Sequence, residues 1–300
     1  MRLTRIAAHA ALALAALVGA VLAVSALGGP ALAAGQPEPW GLGLQAGASP
    51  VKHQVQSFHN LLLVIIFAIS VFVLALLLYV TWRFNAKRNP TPSRTTHNTL
   101  LEVVWTIVPV LILLVIAVPS FRLLYYMDRS ENPEMTLQVT GYQWYWGYEY
   151  PDQQIGEYAS YMVPDEEISG DQVRLLSVDE PVVLPVDTDI QVLVTAGDVL
   201  HSFAMPAFGM KTDAIPGRMN ETWVRIEEEG TYYGQCSEIC GTGHGFMPIE
   251  VRAVSREEFD DWVVERTAGL DLEDRPVLLT QTWEEAIAER ERELAQAAVE

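Results

Sequence analysis

The sequence predicts an α+β membrane protein: two spanning helices joined as a hairpin, then an all-β external domain, a sandwich or barrel. Three observations lead there. Leu61 to Val80 and Val103 to Phe121 are runs of 20 and 19 residues without a charge, each near the roughly 20 residues a helix needs to cross the hydrocarbon core. From Met135 onward the pattern changes to short apolar segments separated by Gly, Pro, Asp and Asn, the mark of a β-sandwich or barrel. Charge divides along the same line: residues 1–126 carry 8 basic and 2 acidic side chains, residues 127–300 carry 11 basic and 36 acidic ones.

Length and composition set the outer bounds. Three hundred residues admit two domains. Only 19% are charged, against about a quarter in soluble domains, and mean hydropathy is +0.17. The net charge of −19 argues against nucleic acid, because a phosphate backbone needs Lys and Arg to replace its counterions. Two cysteines are too few for a disulfide scaffold.

In chain order, the first apolar run follows Arg2 and Arg5, is rich in alanine, and ends at Gly28-Gly29-Pro30 with Ala31-Leu32-Ala33 behind it. This is the layout of a secretory signal peptide over residues 1–34, cleaved near Ala33 or Ala34. An uncleaved signal anchor is the alternative, disfavoured because alanine is less hydrophobic than the leucine of a durable span. Residues 35–57 form an external N-terminal segment. Residues 58–126 form the hairpin, with spans at about 58–82 and 101–124. Trp82, Trp105, Tyr125 and Tyr126 lie near the span ends, where aromatic rings favour the interface. The connecting loop, residues 83–100, holds Arg83, Lys87, Arg88 and Arg94 and no acid. Such a loop stays in the cytoplasm, so everything after about residue 127 lies outside. Glu102 is the only charge at the start of the second span; it either snorkels to the surface or serves a function.

In the external domain, residues 127–266, strands are expected at Thr136–Thr140, Val182–Pro185, Ile190–Val194, Trp223–Ile226, Thr231–Tyr233 and Pro248–Val251. A helix is expected at 255–267, where Ser255 ahead of Glu257 and Glu258 makes an N-cap. An acidic extension, residues 267–300, contains a second helical stretch at 282–298 that opens on a Thr282/Glu285 capping box. It is either solvated or docked.

Both cysteines fall in one segment, Gln235-Cys236-Ser237-Glu238-Ile239-Cys240-Gly241-Thr242-Gly243-His244-Gly245-Phe246-Met247, and Asp198-Val199-Leu200-His201 adds a histidine from another inter-strand turn. Two thiolates, two imidazoles and a thioether form a soft set suited to copper. One thiolate would serve a mononuclear site; a second allows both sulfurs to bridge two coppers. Three other readings stay open on spacing alone. A Cys236–Cys240 disulfide leaves His201, His244 and Met247 unexplained, a Cys₂His₂ zinc site has no use for Met247, and a redox thiol pair is more often C-x-x-C.

These segments, with Gly141-Tyr142-Gln143-Trp144-Tyr145-Trp146-Gly147-Tyr148-Glu149-Tyr150 and Lys211-Thr212-Asp213-Ala214-Ile215-Pro216-Gly217-Arg218, resemble subunit II of the haem–copper cytochrome c oxidases of the bacterial and mitochondrial branch, from about residue 50 to 265. The resemblance implies a cupredoxin-like Greek-key barrel on a membrane hairpin, holding the binuclear copper centre CuA. It implies Cys236 and Cys240 as bridging thiolates, His201 and His244 as imidazole ligands, Met247 as a weak ligand and Glu238 as a ligand through its carbonyl. It further places the Glu238 carboxylate on a magnesium ion shared with subunit I, a hard cation suited to oxygen.

The position of Trp144, with Tyr145 beside it, is where this family takes electrons from cytochrome c, and Glu149, Asp152, Asp179 and Asp198 match or lie near its docking surface. Complementary charge would speed association with a basic donor. Glu102 matches a glutamate at the mouth of a proton path into subunit I, and Lys211, Asp213 and Arg218 lie on a stretch facing subunit I. Location in the bacterial inner membrane follows, with both mature termini periplasmic. Oxygen chemistry is assigned to a partner subunit, since the histidines left over (His9, His53, His59 and His97) lie in the signal peptide or beside the spans. The chain lacks a C-x-x-C-H motif, so the cytochrome donor is a separate protein. Two rivals are a quinol-oxidase subunit II, which lacks the copper ligands, and an exported copper-delivery protein, which has no reason for a two-span hairpin.

Overall fold

The computed structural model describes residues 35–268, apart from 39, 129 and 131. The expected signal peptide and the helical stretch at 282–298 lie outside the described residues.

Helix α1 spans Pro50–Arg83 and α2 spans Thr99–Asp128. At 34 and 30 residues they are about 51 and 45 Å long, so each outreaches the roughly 30 Å hydrocarbon core. Their apolar side chains are exposed all round. Only Val51 and Lys52 are buried in α1, and no residue is in α2. A helix apolar on every side needs a non-aqueous surround. Pro109 and Pro119 sit inside α2, as spanning helices tolerate. Asn98 and Glu102 open α2 with a reciprocal cap: the Leu101 amide donates to Asn98 Oδ1 (3.2 Å) and the Asn98 amide to Glu102 Oε1 (3.3 Å). Glu102 therefore has a helix-starting role that its charge alone did not reveal.

The outer ends of both helices are fastened to the β domain. Ser49 caps α1, accepting from the Lys52 amide (3.0 Å) while donating to the Phe208 carbonyl (2.7 Å), and Pro50 follows where a missing N–H does no harm. Ala48 bonds to Ala207 and Glu227 through its backbone. Trp223 donates from Nε1 to the Tyr126 carbonyl at 2.9 Å and meets the Tyr126 ring edge-on.

Ten strands form two five-stranded sheets packed face to face. The first has the order β3-β2-β1-β5-β8, from Ile155–Ser160, Tyr145–Tyr150, Met135–Tyr142, Ile190–Ala196 and Asn220–Val224. The second has the order β4-β10-β9-β6-β7, from Val182–Pro185, Pro248–Val254, Gly230–Cys236, His201–Met205 and Met210–Ala214. Each sheet has one parallel pair, β1 with β5 and β4 with β10. The domain is a mixed cupredoxin-like sandwich. Inward residues alternate along β1 (Met135, Leu137, Val139) and β5 (Ile190, Val192, Val194, Ala196), and Trp146, Tyr148, Tyr150, Phe203 and Tyr232 fill the centre. Helix α3, Arg256–Thr267, is capped by Ser255 and closes the core with Phe259 and Val263.

Five of the six expected strands are present. The one expected at Trp223–Ile226 is shifted to β8, Asn220–Val224, and shares only Trp223 and Val224 with it, and β2, β3, β6 and β7 are additional. Register fixes where things lie. The membrane helices are fastened near Trp223, opposite Gln191 early in β5, and near Pro206, just past β6. The opposite ends of those strands, Ala196 and His201, lead into the site.

Candidate metal centre

Three segments converge at that end of the sandwich. The β5–β6 connection brings in Asp198 and His201. His201 belongs to no turn, as the sequence suggested, but is the first residue of β6, paired with Ala214. Cys236 is the last residue of β9, and the loop after it brings Glu238, Cys240, His244 and Met247, the last two at a short 3-10 turn, His244–Phe246. The β1–β2 turn brings Gln143 and Trp144, and Tyr145 and Trp146 already belong to β2.

The donor atoms face one another. Cys236 Sγ lies 3.9 Å from Cys240 Sγ, 3.9 Å from His201 Nδ1 and 3.4 Å from the Glu238 carbonyl. Cys240 Sγ lies 3.6 Å from both His244 Nδ1 and Met247 Sδ. Both cysteines are free thiols, and His201, Cys236, Cys240 and Met247 are all buried. Ligand atoms of His201, Cys236 and Cys240 lie within 4.8 Å of one another. Two sulfurs at the centre, flanked by imidazole nitrogens, a thioether and a carbonyl, are a soft donor set that fits copper. A four-ligand zinc site would leave the buried Met247 sulfur aimed at Cys240 without purpose.

The thiols differ electrostatically. At Cys236 burial opposes ionisation, but hydrogen bonds from His201 and from the backbone at Ser202 and Glu238 outweigh it and bring the thiol down to about 6. At Cys240 burial and then the Cys236 charge push it up to about 12. Cys236 thus gives up its proton more readily than Cys240, a difference that belongs to the pair and not to either sulfur alone. A cation arriving there displaces the protons that remain.

Around the donors stands a supporting shell. His201 Nε2 lies 2.9 Å from Asp198 Oδ1, and Asp198 also accepts from the amides of Val199 (2.6 Å) and Gln143 (2.7 Å). Burial works against the Asp198 carboxylate, yet these bonds hold it below the ordinary range. The Cys240 carbonyl accepts from Gln143 Nε2 (2.8 Å) and Trp144 Nε1 (3.3 Å), and the Met247 carbonyl from Trp146 Nε1 (3.1 Å). Gly141 lies so close behind the His201 ring that a Cβ there would come within 2.9 Å of it.

Among the other residues singled out by sequence, Tyr145 stacks between Tyr142 (4.8 Å) and Tyr161 (4.7 Å), beside a half-buried Trp144. Asp152 accepts from the Thr136 amide (2.6 Å), and Asp179 from those of Tyr161 (2.7 Å) and Glu180 (2.8 Å). Of the four acids on the expected docking surface, three are thus bonded into the fold, while Glu149 lies along β2 opposite Gln138. Lys211 and Asp213 form an exposed pair on β7 (3.3 Å), with Arg218 in the turn beyond. Glu102 is remote, at the start of α2. Sequence reasoning missed Gln143 and Trp146 as supports of the site, and read Asp198 as docking surface only. Its one visible signal was an aspartate three residues ahead of a ligand histidine.

Comparison with known proteins agrees along most of the chain. Residues 37–123 match the family described as cytochrome c oxidase subunit II, transmembrane domain, and residues 135–254 match its periplasmic domain. A probable cytochrome c oxidase subunit 2 of Rickettsia bellii is 49% identical over 233 residues, covering 78% of this chain and 87% of that one. The cytochrome c oxidase subunit 2 of Oenothera berteroana is 48% identical over 232 residues, covering 75% and 90%. A crystal structure of the periplasmic domain of subunit II of the cytochrome oxidase of Bradyrhizobium japonicum aligns at 48% identity with a TM-score of 0.43, over 47% of this chain and 98% of that one. With both halves of the family pattern matched and relatives near half identity, the chain is a member of the cytochrome c oxidase subunit II family.

Proposed function

We propose that this chain is the electron-accepting subunit of its oxidase, taking electrons from a cytochrome c and delivering them to the haem of subunit I. The observation that carries the reading is the convergence of two free thiols, two imidazoles, a thioether and a backbone carbonyl within one buried cluster. Cys236, Cys240, His201, His244 and Met247, with the Glu238 carbonyl, would hold a pair of coppers. A bound copper pair supplies one-electron exchange. The protein fills the donor positions itself, which leaves no open position of the kind a catalytic metal needs.

Other assignments rest on the same reading. The Glu238 carboxylate, half-buried beside the cluster, would hold a magnesium ion shared with subunit I. Trp144 would receive the electron, its indole nitrogen bonded to the Cys240 carbonyl, with Tyr145 next to it. Glu149, Asp152, Asp179 and Asp198 would contribute to a negative face for a basic donor, and Glu102 would stand at the mouth of a proton path. The basic loop between α1 and α2 would face the cytoplasm and the sandwich the periplasm, with residues 1–34 as a removed signal peptide and 127–266 as the copper domain.

Copper stoichiometry and electron paramagnetic resonance of the assembled oxidase test the reading. Two coppers assigned to this subunit, beyond any held by its partner subunits, with hyperfine structure from two equivalent nuclei, are expected; a single copper in this subunit, or zinc, refutes it. Trp144→Phe should slow electron uptake with the copper spectrum intact, and a lost spectrum would make Trp144 a structural residue.

A further inference from the structure

The geometry points to Asp198 as a positioning residue of the metal centre: its carboxylate fixes the His201 ring with Nδ1 toward the cysteines and ties that ring to the turn that holds Cys240. The argument begins with donors and acceptors. An ionised carboxylate only accepts hydrogen bonds. His201 Nε2, 2.9 Å from Asp198 Oδ1, must therefore carry a proton, which leaves Nδ1 as the coordinating nitrogen. Nδ1 is the atom that faces Cys236 Sγ.

Asp198 is itself held from both sides. Oδ1 also accepts from its neighbour Val199, and Oδ2 from the amide of Gln143 on a different connection, 55 residues away. Gln143 then reaches through Nε2 to the Cys240 carbonyl. A continuous path runs from one ligand, His201, through Asp198 and Gln143 to another, Cys240. His201 is fully buried whereas the Asp198 side chain is a third exposed. The carboxylate thus sits where the buried ring meets the surface, and surface charge alone does not account for its three bonds. Groups that orient a ligating histidine through its second nitrogen set its tautomer, its ring angle and its donor strength. The inference rests on the copper reading above.

The test uses the assembled oxidase. Asp198→Ala removes all three bonds. Asp179→Ala removes the same charge and two backbone bonds, but touches no ligand. Asp198→Ala should release copper to a chelator about 10–100-fold faster than wild type, with changed copper hyperfine splitting in the fraction that retains metal. Asp179→Ala should leave both unchanged. If Asp198→Ala yields no folded subunit, Asp198→Asn decides: it keeps an oxygen for His201 but turns an amide toward the Gln143 N–H, and should release copper faster than wild type with altered splitting. Wild-type release and spectrum in these Asp198 variants would overturn the inference, as would an effect confined to the affinity for cytochrome c and its salt dependence. A wild-type protein without copper would instead refute the copper reading itself.

Discussion

The loop carrying Cys240 and His244 lies against the Trp144 ring with no room for a side chain between them, and Gly243 is where this can be measured. A Cβ built on Gly243 would lie 2.3 Å from Trp144 Cγ, 2.4 Å from Cδ2 and 2.8 Å from Cβ. Ordinary carbon contacts begin near 3.4 Å, so Gly243→Ala demands a displacement of about 1 Å. The crowded atoms are the root of the indole and not its tip. A change of χ1 would carry Cγ and Cδ2 away but leaves Cβ at 2.8 Å, so the Trp144 backbone or the loop must still move. Gly243 has φ −88° and ψ 10°, a conformation alanine tolerates, so the whole penalty is steric. Overpacking of this kind costs about 1–3 kcal/mol. Gly245, two residues on, is the control: a Cβ there meets nothing within 4 Å, and alanine at a compatible position adds about 0.4–1 kcal/mol of stability. The two variants should therefore shift stability in opposite directions and differ by about 1.5–4 kcal/mol. Thermal unfolding of the metal-free full-length chain reads the difference, and indole fluorescence reads the shift of Trp144. Equal stability in Gly243→Ala and Gly245→Ala would refute the claim that this loop and the indole are in obligatory contact.

Ser49→Ala removes both the cap of α1 and the donor to Phe208, and should lower the stability of that junction by about 2 kcal/mol; amide exchange at Lys52 should rise while the copper spectrum stays unchanged, and unchanged exchange would contradict this. Trp146→Phe leaves the Met247 carbonyl without its donor and opens space beneath the site; a loss of about 2–4 kcal/mol is expected in denaturant unfolding, and a loss under about 0.5 kcal/mol, the scale of a surface substitution, would show that bond to be dispensable. Tyr158 is pushed up to about 12 by burial, against the pull of Arg266. Its unfolded form ionises near 10, so the stabilisation is complete below pH 10 and lost as pH rises through 12, up to about 3 kcal/mol. Tyr158→Phe should flatten the fall in melting temperature over that interval, and an undiminished fall would assign it to other groups.

What could be read from the chain, and what could not, follows from which surfaces each element buries. β1 and β5 bury one face and show it as alternation. β2 buries Trp146, Gly147 and Tyr148 in succession, and β6 buries all five of its residues, His201 to Met205. Burial on both faces erases the period of two, and β6 additionally contains a histidine and a serine that read as turn residues. β7 alternates, but its exposed Lys211 and Asp213 look like loop. The candidate donors were legible because soft donors are rare and all but His201 cluster within 12 positions, Cys236 to Met247. Their supports were not. A glutamine, an aspartate and a tryptophan have no fixed meaning until the fold sets them opposite particular carbonyls, amides and ring nitrogens, and these partners lie 55 to 101 positions away along the chain, save for His201 three residues from Asp198.

Seen through those partners, the β1–β2 turn and the start of β2 do more than the proposed electron uptake requires. Gln143 bonds through its amide to Asp198, which holds His201; the Gln143 side chain and the Trp144 indole both bond to Cys240; the Trp146 indole bonds to Met247. Four hydrogen bonds from three of these residues thus reach each of the segments that carry donor atoms. Of these bonds only Trp146 to Met247 is fully buried, where losing a partner destabilises more than the pairing stabilises; together their effect is to specify one arrangement of the donors. Electron exchange is fastest where reduction changes geometry least, and a cluster whose ligands are held from behind by a single strand-end turn meets that requirement before any metal arrives. Beside Trp144, Tyr145 stacks between Tyr142 and Tyr161. On the proposed reading, electron entry and the support of the donor atoms share one four-residue segment, Gln143 to Trp146: Gln143 and Trp146 hold ligand geometry, and Trp144→Phe is the substitution that separates the two.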